Sequence, residues 1–232
     1  MPGSPMNDQT LTELTGEEEK TAAARSRIYE LFARLFDYPD KAFGEAIRTG
    51  ELAEKIRQTL SALDPFLLED SDWDALGNTG EEEDDLAVEY TRLFDVGASG
   101  PPCPLCGGLY FGARMKTMEE AIRFYNHFGL TLSDSPREMP DHITTELEFL
   151  HFLAFREAEA LHSGDDPGSF RRAQRDFAAR HPGRWIPKLR ERLEAQDPMP
   201  FFRELVSQLE RFLVHDQNRL VALEGPVPDA HH

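Results

Sequence analysis

Glu138-Met-Pro-Asp-His142, followed by Glu146-Leu-Glu-Phe-Leu150, decides the fold. Pro140 closes one segment, and Ile143, Leu147, Leu150 and Ala154 then line one face of a helix reaching about Leu161. Asp141 reads as an N-cap or first-turn residue accepting from orphan backbone N–H groups, and Pro140 suits a position whose N–H is not needed. His142 beside it has the intrinsic pKa to titrate near neutrality or to hold a polar ligand. Two readings stand for the Asp141-His142 pair, a helix start and a binding site.

Outward from this stretch the same periodicity recurs. Ile28, Leu31, Phe32, Leu35 and Phe36 define a helix over about 21–37, ended by Pro39, and a short helix follows over 40–48. Leu52, Ile56, Leu60 and Leu63 form a stripe closed by Pro65, and 64–80 reads as a loop or broken helix around Trp73. Leu86, Tyr90, Leu93 and Phe94 mark a helix ending near Gly97, and Met115, Met118, Ile122 and Tyr125 mark another stopped near Gly129. Phe170, Ala173 and Phe177 open a basic helix. Pro187 forces a break, a kink or a fresh start in the segment holding Trp185, Ile186 and Leu189. Phe202, Leu205, Leu209, Phe212 and Leu213 form the last long helix.

No segment alternates with period two, so the expected fold class is all-α. It is a single domain of about nine or ten helices in two lobes, 21–130 and 140–222, packed on a phenylalanine-rich core. The loop 129–140 is the expected hinge, 1–20 a flexible leader and 223–232 a flexible tail.

With 43 acidic against 25 basic residues, the net charge of −18 disfavours nucleic acid and anionic membranes. No apolar run approaches the roughly 20 residues of a membrane span, and Met1–Lys20 is polar and acidic, so the expected location is the cytoplasm. The acidic runs read as solvated helix starts. The basic run Arg171, Arg172, Arg175, Arg180, Arg184, Lys188, Arg190 and Arg192 reads as a solvated face, with an anionic cofactor or the chain's own acids as other partners.

Cys103-Pro-Leu-Cys106 has C-x-x-C spacing, but no second pair supplies the remaining ligands of a zinc site and no strand-to-helix context suggests a redox pair. Packing of two small side chains in a Pro/Gly loop is the simpler reading, with Cys103 and Cys106 the weak metal candidates. Glu148-x-x-His151 and Glu159-x-x-His162 lie on one helix about three turns, roughly 16 Å, apart, too far to share a dinuclear metal centre, and read as helix surface. Phosphate-loop, dinucleotide and nucleophile-elbow motifs are missing from the sequence.

In order along the chain, Glu89-Tyr-Thr-Arg-Leu-Phe94, the Gly-Pro-Pro-Cys-Pro loop at 100–104, Met139-Pro-Asp-His-Ile143, Glu146-Leu-Glu-Phe-Leu150 and His181-x-x-x-Trp185 resemble the TorD/DmsD/NarJ family of redox-enzyme maturation chaperones. The resemblance covers about 21–215. The loop at 100–108 departs from the common Pro-Tyr-Glu-Ser pattern. Its Cys-Pro-Leu-Cys-Gly-Gly-Leu-Tyr is similar to the branch serving dimethyl sulfide and ethylbenzene dehydrogenases and chlorate and selenate reductases.

The resemblance implies a cytoplasmic chaperone, not an enzyme, that binds the apo catalytic subunit of a molybdopterin-dependent oxidoreductase and its twin-arginine signal peptide before cofactor insertion and export. It places Asp141, His142, Pro140, Glu138 and Glu146 at the client or signal-peptide site, with Glu148 on the same motif and Glu89, Arg92 and Phe94 on a second. It implies no catalytic residue and no resident cofactor, only transient contact with molybdopterin or GTP, and a monomer or domain-swapped dimer. Two alternatives remain at this point: a nucleotide-binding hydrolase, and a metal or redox carrier using Cys103 and Cys106.

Overall fold

The computed structural model describes residues 16–80, 84–98, 100–112, 114–132 and 139–228. Among these it is all-helical. The α-helices are α1 (Glu17–Leu35), α2 (Lys41–Arg48), α3 (Glu51–Ser61), α4 (Asp85–Tyr90), α5 (Arg114–His127), α6 (Ile143–Ser163), α7 (Gly168–Arg180), α8 (Pro182–Glu194) and α9 (Pro200–Glu224). Pro65–Leu68 and Ala75–Gly77 are 3-10 turns in the stretch expected to be broken around Trp73.

Local chemistry explains the boundaries. Glu17, Glu18 and Glu19 fill the first turn of α1, where acids oppose the positive end of the dipole. Asp40 caps α2, its side chain accepting from Phe43 N at 2.8 Å. Gly164 ends α6 in the left-handed conformation, at φ 76°. Pro182 and Pro200 begin α8 and α9, where a missing N–H costs nothing. Of the break, kink or fresh start expected at Pro187, neither a break nor a start falls there. Pro187 sits inside α8, and the fresh start falls at Pro182, after the sharp corner at His181.

The helix at 114–127 keeps Tyr125 of its expected stripe in the core but turns much of the rest of that stripe outward. Met115 is exposed and Ile122 borders on exposed, while Ala121 and Tyr125 are buried. Ala121, Phe124, Tyr125 and Phe128 follow the i, i+3, i+4, i+7 rule equally well, and aromatic packing selects them. Tyr125 meets Phe149 at 4.8 Å between centroids, and Phe124 meets Phe177 at 5.2 Å.

One core runs through both expected halves of the chain. Tyr29 and Phe32 of α1 pack on Phe212 of α9, and α1 lies along α6. At the centre of these helices sits Arg25, fully buried. Its Nη1 donates to Glu157 at 2.6 Å and its Nη2 to Gln174 at 2.6 Å and to Asp216 at 2.9 Å. Its Nε also donates to Asp216. Tyr29 Oη donates to Asp216 at 2.6 Å, and Arg171 Nε donates to Glu157 at 2.8 Å. Burial raises the cost of ionising Glu157, but Arg25, Arg171 and Gln174 outweigh it and hold the carboxyl below its usual range. Helices α1, α6, α7 and α9 thus share one buried ionic knot.

Arg25→Met is expected to leave buried Asp216 without its hydrogen-bonded cation and Glu157 with only the hydrogen bonds of Arg171 and Gln174, and to lower unfolding free energy by about 3–5 kcal/mol. Denaturant titration of the purified variant checks this, and a loss below about 1 kcal/mol, the scale of an exposed pair, would show that the knot is not what fixes these helices.

Candidate functional site

The Cys-Pro-Leu-Cys-Gly-Gly loop and the Pro-Asp-His segment are brought together. Gly107 N donates to Asp141 O at 2.8 Å and Ile143 N to Leu105 O at 2.8 Å, forming a short antiparallel bridge between Cys106 and His142. Asp141 is fully buried, and its Oδ2 accepts from Gly108 N at 3.0 Å. Arg114 Nε lies 3.9 Å from the same oxygen. Tyr125 Oη donates to Pro140 O at 2.7 Å from below.

Both glycines are required by contact. A Cβ on Gly107 would stand 2.6 Å from the Trp185 ring, and one on Gly108 would stand 2.8 Å from Arg114 Cα and 2.9 Å from Asp141 Oδ2. The loop therefore lies flat against the start of α6 because it lacks side chains there.

Asp141 is not the cap of α6. His142 has the extended backbone of an N-cap, and its Nδ1 accepts from Thr144 N at 3.3 Å. The reason is competition: the Asp141 carboxylate is already taken by the loop amide, and the chain turns into the helix one residue later. Burial also pushes the His142 imidazole down to about 4. It is neutral around pH 7, as an accepting Nδ1 requires, and does not titrate near neutrality.

One turn into α6, Glu146 is fully buried. Its Oε2 accepts from Trp185 Nε1 at 2.8 Å and its Oε1 lies 3.6 Å from His181 Nδ1. His181 is buried and stacks on Phe177, while Trp185 stacks on Tyr110 of the loop. His181 and Trp185, four residues apart across the corner into α8, thus both reach one carboxylate. Burial raises the pKa of Glu146 against the lowering effects of His181 and Trp185. Asp141 Oδ1 and Glu146 Oε1 have no hydrogen-bond partner among the described residues.

The second motif is a separate clamp. Arg92 forks onto Glu89, Nε to Oε2 at 2.6 Å and Nη2 to Oε1 at 2.8 Å. Glu89 Oε1 also accepts from Met199 N at 2.9 Å, and Arg92 Nη2 donates to Gln196 O at 3.2 Å, so the pair holds the entry to α9. Phe94 is buried against Phe202, at 5.3 Å between centroids. Its π-helical turn, Thr91–Asp95, meets the loop through Cys103 N donating to Leu93 O at 2.9 Å. Glu138 lies outside the described residues, and Glu148 is exposed.

Cys103 is buried and Cys106 half-buried, and burial pushes both thiols up to about 11. Neither Glu-x-x-His pair is plain helix surface. His151 Nδ1 lies 2.9 Å from Ser26 Oγ and His162 Nδ1 lies 3.5 Å from Glu19 Oε2, so both tie α6 to α1. Among the described residues no group of three or more metal-ligating side chains forms. The basic run is not a free solvated face either. Arg171, Arg172, Arg180 and Arg190 pair with Glu157, Glu224, Glu120 and Glu210.

Residues 49–191 match the family described as the nitrate reductase delta subunit. Over 213 residues the chain is 32% identical to the perchlorate reductase assembly chaperone protein of Dechloromonas aromatica (strain RCB), covering 90% of this chain and 93% of that one. It is 35% identical over 171 residues to the selenate reductase assembly chaperone protein of Thauera selenatis, covering 73% and 76%. It is 40% identical over 114 residues to the chlorate reductase assembly chaperone protein of Ideonella dechloratans, covering 48% and 59%.

A carboxyl whose pKa is raised on folding adds stability below its unfolded value and loses that contribution as pH rises through its folded value. Glu146→Gln keeps an acceptor for Trp185 and removes the titration. The stability of the variant relative to wild type is therefore expected to increase as pH rises from the ordinary 4.5 through the raised folded value. Urea unfolding across a pH series checks this, and the opposite slope would mean that His181 and Trp185 outweigh burial.

Proposed function

Since the chain belongs to the nitrate reductase delta subunit family, we propose that it is an assembly chaperone. Its client is the catalytic subunit of an oxidoreductase of the perchlorate, selenate and chlorate reductase kind, molybdopterin-dependent as the resemblance to TorD/DmsD/NarJ proteins implies. The chaperone holds that subunit in the cytoplasm before its cofactor is inserted, with the twin-arginine signal peptide engaged at or near the Asp141-His142 segment. It is a binding protein, without a catalytic step of its own. The observation that carries the reading is the match along 90% of the chain to an assembly chaperone.

The site's geometry suits binding. Asp141 and Glu146 are buried with fixed partners. Their role is to hold the 103–110 loop against the start of α6, leaving half-buried His142 and exposed Leu109 to meet the client. A carrier function for Cys103 and Cys106 draws less support, because the described residues bring no third ligating side chain to the pair, and thiol exchange uses the thiolate, which burial disfavours at both cysteines. Among the described residues no helix is long and apolar enough to cross a membrane.

Affinity capture from the native cytoplasm, read by mass spectrometry and metal content, tests the reading. Wild type is expected to recover a cofactor-free oxidoreductase catalytic subunit, and His142→Ala and Asp141→Asn are expected to recover roughly tenfold less, a loss of about 1.4 kcal/mol in binding. Equal recovery by the variants would move the client surface away from this segment. Recovery of no such subunit by wild type, where one is expressed, would overturn the assembly reading itself.

A further inference from the structure

On a chain with a net charge of −18, the cations that remain without an acidic partner are informative. In the basic run, Arg171, Arg172, Arg175, Arg180 and Arg190 each lie against a carboxylate. Arg184, Lys188 and Arg192 do not: among the described residues none makes an ion pair within 4.0 Å. Each lies over an aromatic ring instead. Arg184 Cζ is 3.9 Å and Lys188 Nζ 4.7 Å from the centroid of Phe111, and Arg192 Cζ is 4.3 Å from that of Tyr110.

The three recur every fourth residue along the exposed face of α8, a row about 12 Å long. Stacking on a ring fixes a long side chain while leaving guanidinium N–H groups at the rim of the stack available to an acceptor. The ordering entropy that weakens most surface ion pairs is therefore partly met before any partner arrives. The rings belong to the same 107–111 turn that pairs with Asp141, so the row adjoins the candidate site.

We propose that Arg184, Lys188 and Arg192 form a docking row for an acidic segment of the client protein. The identity of that partner rests on the assembly reading. The chemistry is that of carboxylates spaced along a peptide, because the cations are spread over two rings, two at Phe111 and one at Tyr110, along about two turns of α8, a longer footprint than a compact phosphate needs. Acidic residues dominate the rest of the chain, so the row also fixes orientation: a client segment carrying acids is attracted here and repelled elsewhere.

The test uses the full chain carrying Arg184→Gln, Lys188→Gln and Arg192→Gln together, all exposed and outside the Asp141–Glu146 segment. Titration of the captured catalytic subunit is expected to show roughly tenfold weaker binding at low salt and a flattened salt dependence, with an unchanged unfolding midpoint. Wild-type affinity and salt slope in the variant would overturn the proposal. An oligoglutamate peptide, titrated in the same buffers, separates the row from the assembly reading. Saturable, salt-sensitive binding lost in the triple variant supports the row even if no client is captured. Absence of binding, or tighter binding of inorganic pyrophosphate than of the peptide, overturns it.

Discussion

The interaction on which the rest of the structure depends is the burial of Arg25 between Glu157 and Asp216. An arginine at this depth cannot shed its charge, so it must find anions, and the carboxylates must find it. Replacing such a knot by apolar side chains of equal volume can leave stability unchanged or higher, so its contribution is better understood as registry. Leucines and phenylalanines on α1, α6, α7 and α9 would tolerate a slip of one turn. The knot would not, because a slip of about 5.4 Å breaks every hydrogen bond in it.

Registry at one end of α6 becomes geometry at the other. Glu157 and Glu146 stand on the same helix, about three turns apart, roughly 16 Å. With Glu157 fixed to α1 and α7, the first turn of α6 has a defined place, and Glu146 there draws in Trp185 and sits beside His181. Trp185 then stacks on Tyr110 and sets how closely Gly107 can approach. The loop at 103–110 therefore inherits its position from a buried ion pair it never touches. That is the physical sense in which scattered motifs, weak individually, form one site.

The helices were legible because the long ones carry apolar stripes and several are bounded by a glycine or proline with a steric reason to be there, Gly164 after α6 and Pro182 and Pro200 at the starts of α8 and α9. The face of α5 is ambiguous in the sequence because two sets of residues sharing Tyr125 satisfy the same period, and contacts of Tyr125 with Phe149 and of Phe124 with Phe177 select Ala121 and Phe124 over Met115 and Ile122. The sequence places the cap one residue early, because a free aspartate caps better than a histidine and the loop amide that occupies Asp141 comes from a segment 33 residues away. The ionic knot was missed although a signal existed. Arg25 lies on the stripe of Tyr29, Phe32 and Phe36, Glu157 on that of Leu150, Leu153 and Ala154, and Asp216 on that of Phe212, Leu213 and Leu220. Single charges of opposite sign at core positions of different helices are a pattern that can be searched for.

Pairing of buried and surface charges also explains the composition. An excess of acid invites the expectation that basic residues are dispersed in solvent, yet the basic run on α7 and α8 is spent mostly on the chain's own carboxylates and on the carbonyls of Glu224, Gly225 and Pro228. The surface left to a partner is then more acidic than the local sequence suggests, except where arginine and lysine rest on Phe111 and Tyr110. Aromatic faces hold a cation without neutralising it, whereas carboxylates hold it and cancel its field. The choice of partner for each arginine, set by the corner at His181 and the loop docked beneath it, thereby determines where this acidic protein presents positive charge.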